Sequence, residues 1–301
     1  MIRRPPRSTR KESSAASDVY KRQSVEIVVQ KSEIRKFTDD QYQTLGVPVV
    51  ASVDDCDVLI GVKEVPISEL IPGKKYFFFS HTFKEQPYNR ALLEAIIEKN
   101  IQLIDWEVIT NSNGQRLIAF GKYAGIVGCY NGLLAYGLKH KLYQLKRANE
   151  CEDRAEMEME LNKLQLPNNF KMVVTGKGRV GGGALEIISK TYIKEVSPAD
   201  FLNKDFNSPV FCWLDVEHYN KRKDGQDFNK SEFFSDPKEY ESDFLKYARV
   251  ANMYIACHYW DSRAPFLFTR EDARDPKWNI SVVADVSCDI DCAVALSLIH
   301  I

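Results

Sequence analysis

Lys63, His81 and Glu107 are the residues of this chain best placed to move protons. Lys63 follows the apolar run CDVLIGV at 56–62, and His81 follows Phe77-Phe78-Phe79-Ser80. Each run reads as a β-strand, and ligands of open α/β sheets sit just beyond such carboxyl ends. A lysine that is partly desolvated and close to a carboxylate, here Glu64, can titrate toward neutrality and act as a base. An imidazole at a strand end can shuttle a proton. If the two strands are neighbours, both side chains leave the sheet at one edge, and Glu107, after QLIDW at 102–106, shares it. Two bases and a carboxylate beside a dinucleotide suit hydride transfer at a carbon bearing nitrogen. Arg116, in Gly114-Gln115-Arg116, can clamp a substrate carboxylate through paired hydrogen bonds. Taken singly, each residue has a plainer reading: a solvated loop lysine, a structural histidine at a core edge, a surface arginine.

The dinucleotide is expected at 171–188, KMVVTGKGRVGGGALEII. A β-branched run leads into a glycine cluster and then into helical spacing, the setting that holds a pyrophosphate. Gly176 permits the tight turn, and Gly178 lets backbone N–H groups approach the phosphates. Gly181 or Gly183 lets the helix pack close, with its positive end toward the anion. A glycine-rich surface turn is the alternative. Glu195, about 20 residues further on, is the candidate for the adenosine ribose. His258 and Asp285 follow two late strands. Cys257 and Cys288 read as core residues, and His140 and His218 are assigned no role.

Strands are expected at 24–30, 47–51, 56–62, 76–79, 101–104, 193–196, 209–214, 253–257 and 280–286. Helices are expected at 32–45, at 88–99 with Leu92, Leu93, Ile96 and Ile97 inward, and at 124–139. The run 56–62 has the continuous apolar character of a buried strand. Alternation of strand and helix predicts parallel α/β sheets. The charged segment 148–164 reads as an exposed helix that leads into a linker, with the domain boundary nearby. Residues 221–241 read as a long loop with a short helix.

The 301 residues are enough for two domains. A net charge of −1 gives no sign of a nucleic-acid partner. No apolar run approaches the roughly 20 residues of a membrane span. Seven scattered cysteines without C-x-x-C pairs predict reduced thiols in the cytoplasm, not disulfides or a metal site. Residues 1–23 are basic, rich in Ser and Pro and without apolar period; a transit peptide is one reading. Translated adaptor sequence, there and at 296–301, is the preferred one, with 1–23 disordered.

At these residues the chain resembles the alanine dehydrogenase and pyridine nucleotide transhydrogenase family, and within it the NAD-dependent, lysine-forming saccharopine dehydrogenase branch. The resemblance is carried by Gly61-Val62-Lys63-Glu64, by 80–86 (SHTFKEQ), by 114–125 (GQRLIAFGKYAG), by the glycine turn and by 283–289 (VADVSCD). It implies two Rossmann-like domains, 24–147 for substrate and 169–295 for NAD, joined by a helical linker at 148–168, with a cleft between them. The first is expected to be incomplete, because the family's opening arginine strand and closing return segment have no counterpart here. Lys63 and His81 match the family's catalytic pair, with Glu64 and Glu107 tuning them. Lys84, Gln86, Arg116 and Phe120 match substrate positions; His258, Tyr259 and Trp260 lie toward the nicotinamide end, as does Cys257 on the cofactor side. Arg179 and Val180 fall at the pyrophosphate turn, and Ala284, Asp285, Val286 and Ser287 on the cofactor's far side. Gln115 stands at a cofactor position where arginine is commoner. The implied activity is NAD-dependent cleavage of saccharopine to lysine and 2-oxoglutarate. Alanine dehydrogenation and a non-catalytic, NAD-binding fragment are the alternatives, and monomer or homo-oligomer is left open.

Overall fold

The structure is a computed structural model, which describes residues 25–286 and Val294. The two terminal segments read as adaptor sequence, with Ser287, Cys288 and Asp289, lie outside the described residues. The chain divides into two compact units at Ala119/Phe120, earlier than the linker expected at 148–168.

The first unit is α/β with parallel pairing. Strands β1 (Val29–Gln30) and β2 (Val49–Val50) form one parallel pair. Between them α1 (Asp39–Thr44) starts only at Thr38, whose side chain and Gln41 form a reciprocal cap. The helix expected from residue 32 is therefore shorter, and Ile34, ahead of it, is 96% exposed. The main sheet is three-stranded, ordered β3 (Val58–Lys63), β4 (Lys75–Phe79), β5 (Gln102–Asp105), all parallel. Strand β4 is central, and its alternate residues Tyr76 and Phe78 enter a core with Leu70, Leu92, Ala95 and Ile96. Strand β3 is an edge, and Val58 and Ile60 are exposed, so the apolar run at 56–62 is not a doubly buried strand. Helix α2 (Arg90–Glu98) buries Leu92, Ala95 and Ile96. Leu93 and Ile97, expected inward, are exposed: a single packed side admits one stripe of a helix, and these two lie beyond it.

The second unit is built on a five-stranded parallel sheet ordered β12 (Val282–Asp285), β11 (Met253–Ala256), β6 (Lys171–Thr175), β8 (Val210–Leu214), β7 (Lys194–Glu195). Strand β6 is buried throughout. Its Met172 and Val174 join one core, and its Val173 joins the other. On the first side lie α3 (Gly121–His140) and α5 (Arg179–Ile188). A Cβ on Gly125 would sit 1.9 Å from the Val180 carbonyl oxygen, and one on Gly183 would sit 2.0 Å from that of Lys122. The small residues of α3 thus allow the two helices to touch backbone to backbone.

Helix α4 spans only Arg154–Glu160, after an Asp153 cap, and is not an exposed helix over 148–164. Cys151, Met157, Leu161 and Leu164 of that segment are buried in the same core, despite its charge. The opposite core takes Phe201 from α6 (Pro198–Asn203) and Val216 and Tyr219 from α7 (Val216–Tyr219). The expected loop at 221–241 is ordered: β9 (Asn220–Arg222) and β10 (Tyr240–Ser242) pair antiparallel, around α8 (Lys230–Ser235), with Phe233 and Tyr240 buried.

Candidate active site

The first unit gathers a hydrogen-bonded chain of titratable side chains at the carboxyl ends of its sheet. Because β3 and β4 pair in parallel, Lys63 and His81 emerge together, and Lys63 Nζ lies 3.3 Å from His81 Nε2. His81 Nδ1 lies 2.8 Å from Glu107 Oε2. An ionised carboxylate can only accept, so Nδ1 carries the ring proton and Nε2 presents a lone pair to the Lys63 ammonium. The other Glu107 oxygen accepts from Arg116 Nη1 at 2.8 Å, with Lys84 Nζ 3.5 Å away. Glu107 is buried, which by itself raises its pKa. The hydrogen bond from His81 and the charges of Lys84 and Arg116 outweigh that and hold it below the ordinary carboxylate value.

Asp105, which the sequence pattern does not single out, fixes this geometry. Its Oδ2 accepts from the Ser80 amide at 3.2 Å and from Ser80 Oγ at 2.5 Å, while its Oδ1 accepts from the Glu107 amide at 2.8 Å. One buried carboxylate thereby ties the residue before His81 to Glu107 itself. His81 has φ 58°, a left-handed conformation unusual for a side-chain-bearing residue, and its carbonyl accepts from Asn89 Nδ2 at 3.3 Å. The only sequence sign of Asp105 is an acid at the end of an apolar strand.

Other expected residues fall further out. Glu64 is exposed, and no hydrogen bond or ion pair among the described residues joins it to Lys63 or His81. Gln86 accepts from the Tyr88 hydroxyl, and Gln115 closes the Asn111 turn with Asn111 Nδ2 on its Oε1 at 3.1 Å. Phe120, in the second unit, immediately precedes α3 and is half-exposed.

In the second unit β6 runs straight into the glycine turn. Gly176 has φ +92°, and a Cβ there would meet the Cys257 carbonyl at 2.6 Å; a Cβ on Gly181 would sit 1.9 Å from the Gly176 carbonyl oxygen. Nothing lies within 4 Å of a Cβ on Gly178, so the start of α5 is an open cradle. A buried strand, a turn closed to side chains and an open helix N-terminus fit a dinucleotide pyrophosphate. Arg179 and Val180 open that helix. Sheet order reverses between β6 and β11, which places the crevice at their carboxyl ends.

There Thr175 Oγ1 lies 2.8 Å from the Tyr254 hydroxyl and 2.8 Å from His258 Nδ1. His258 is partly exposed as a residue, but its Nε2 is buried with no hydrogen-bond partner among the described residues. Burial pushes its pKa down to about 4, against a smaller upward pull from Asp285. Cys257 is a core thiol, pushed up to about 12 by burial. Tyr259 is exposed, and Trp260 stacks on Phe266. Ala284 and Val286 point at Gly132 and Gly128 of α3, so their backbone is what remains for a cofactor. Glu195 ends β7 at the rim of a cavity that also holds Lys177 and Trp213.

Comparison with known proteins matches this architecture. Residues 14–127 match the family described as alanine dehydrogenase/PNT, N-terminal domain. Over 88% of its length the chain is 28% identical to an alpha-aminoadipic semialdehyde synthase of Arabidopsis thaliana, of which it spans 28%. It is 29% identical to the mitochondrial enzyme of that name from Bos taurus over 82% of the chain, again spanning 29% of that relative. The chain therefore spans under a third of the length of these relatives. Over 88% of its length it is 27% identical to a saccharopine dehydrogenase (NAD(+), L-lysine-forming) of Schizosaccharomyces pombe, covering 67% of that protein. A solved L-alanine dehydrogenase shares its fold with a TM-score of 0.53 at 14% identity, covering 93% of this chain and 70% of that one.

Proposed function

We propose that this chain supplies the acid–base and cofactor-binding parts of an NAD-dependent amino-acid dehydrogenase, with saccharopine as substrate. The observation that carries the reading is the relay Lys63–His81–Glu107, with links of 3.3 and 2.8 Å. The saccharopine dehydrogenases among the relatives support the substrate. The glycine turn, with Gly176, Gly178, Gly181 and Gly183, and Glu195 would hold the dinucleotide, which supplies a hydride acceptor when bound.

The chain's own residues handle protons. His81 Nε2, kept bare by the bond from Nδ1 to Glu107, takes a proton from Lys63. The neutral Lys63 amine then removes the proton from the substrate nitrogen as the C–N bond is oxidised to an imine. After losing its proton to solvent, His81 takes one from the water that adds to the imine carbon. Lys63 returns its proton to the nitrogen as the adduct forms; on collapse His81 hands its proton to the leaving nitrogen and takes that of the hydroxyl, so that the C–N bond breaks and lysine and 2-oxoglutarate are released. Glu107 stays ionised throughout and stabilises the transient imidazolium. Arg116 and Lys84, both substantially exposed, offer positive charge to substrate carboxylates. The free thiols Cys56, Cys129, Cys151, Cys212 and Cys257 support a reducing, cytoplasmic setting.

A substrate panel tests the reading. NADH should form with saccharopine and NAD, and be consumed with lysine and 2-oxoglutarate in ammonia-free buffer. Turnover confined to alanine would replace the substrate. NAD binding without turnover on any of these would leave a cofactor-binding fragment.

A further inference from the structure

The second unit holds a cavity of about 380 Å³ whose lining includes Lys177, Glu195, Ser197, Trp213 and His218. It adjoins the glycine turn. The Trp213 indole N–H donates to the Gly176 carbonyl at 2.9 Å, which pins one wall to the turn. Lys177 lies between Gly176 and Gly178, with its ammonium 5.3 Å from the Trp213 ring centroid. Glu195 enters from the end of β7. The nearby carboxylate of Asp215 is paired with Lys230 at 2.7 Å and also feels the more distant charge of Lys177, and His218 turns Nδ1 to the Asp215 backbone at 3.2 Å. No salt bridge among the described residues joins Lys177 to Glu195. One cavity thus presents a carboxylate and an ammonium that do not neutralise each other.

A carboxylate suits vicinal hydroxyls, and an ammonium suits a phosphate. Resting on the dinucleotide reading of this unit, we propose that Lys177 is a specificity-determining residue, which admits a 2′-phosphate on the adenosine ribose against the repulsion of Glu195. The chain then accepts both NAD and NADP. Glu195 supplies the preference for the free hydroxyl, and Lys177 limits it. Lys177 is exposed on a loop, so its replacement leaves the packing of the unit untouched.

The test is calorimetric titration with 5′-AMP and 2′,5′-ADP, which differ only in the 2′-phosphate. The wild-type chain is expected to bind both within about tenfold of each other, a difference of roughly 1.4 kcal/mol. Lys177→Met should weaken 2′,5′-ADP by about tenfold or more, with 5′-AMP nearly unchanged, and Lys177→Arg should restore it. Glu195→Gln should strengthen 2′,5′-ADP. If 5′-AMP binds but the ratio is the same in wild type and Lys177→Met, the inference is wrong while the dinucleotide reading stands. If neither nucleotide binds the wild-type chain, both fall.

Discussion

The chemistry at residue scale rests on which atoms carry protons. Glu107 decides that His81 offers a lone pair to Lys63, so Glu107→Ala removes the tautomer anchor without touching either base. Turnover should fall by about 10²–10⁴-fold, the range of one general base, while NAD affinity is retained. Steady-state kinetics beside NAD titration would show this, and equal loss of both would point to unfolding instead. His258 gives a pH prediction. Its pKa is 6.5 in the ordinary state and about 4 when folded. Between those values the unfolded chain binds a proton that the folded chain refuses, so stability falls as the pH drops through that window. The loss is at most about 3 kcal/mol. The urea midpoint of wild type should fall relative to that of His258→Asn as the pH is lowered from neutral toward 4; parallel curves would contradict it. The pairing of Lys63 with His81 was legible because both end strands that pair in parallel. Asp105 and the exposure of Glu64 were not, because adjacency in sequence does not say where a side chain points.

Close helix packing dominates at the scale of elements. The expected helix at 124–139 forms as α3, and its glycines, which sequence marks only as small residues, turn out to be contact points with α5 and β12. Gly125→Ala should destabilise by roughly 1–3 kcal/mol or more, since its Cβ would overlap the Val180 carbonyl. Gly182, in α5 with nothing within 4 Å of a Cβ, should respond oppositely, with Gly182→Ala gaining roughly 0.5–1 kcal/mol. Urea unfolding of the two variants separates them, and equal midpoints would refute the packing account. Apolar periodicity misled where packing was one-sided: it counted Leu93 and Ile97 as core and read β3 as buried. It also missed that 148–164, charged as it is, keeps Met157 and Leu161 in the core.

At the scale of the whole molecule, the proposed acid–base chemistry falls in the first unit and the proposed nucleotide binding in the second. The parallel α/β class was readable from alternation of strand and helix, but the division at 119/120 was not, because α3 joins the second unit through backbone contacts that leave no compositional mark. If the second unit binds NAD, about 100-fold excess over Kd should add roughly 2.7 kcal/mol to its stability, read as a rise in Tm. The most direct test of the central claim is saccharopine-dependent NADH formation by Lys63→Met and His81→Gln, each titrated with NAD in parallel. Each variant should turn over about 10²–10⁴-fold more slowly than wild type with NAD affinity unchanged. Wild-type turnover in both variants would show that the relay of Lys63 and His81 is not the catalytic centre.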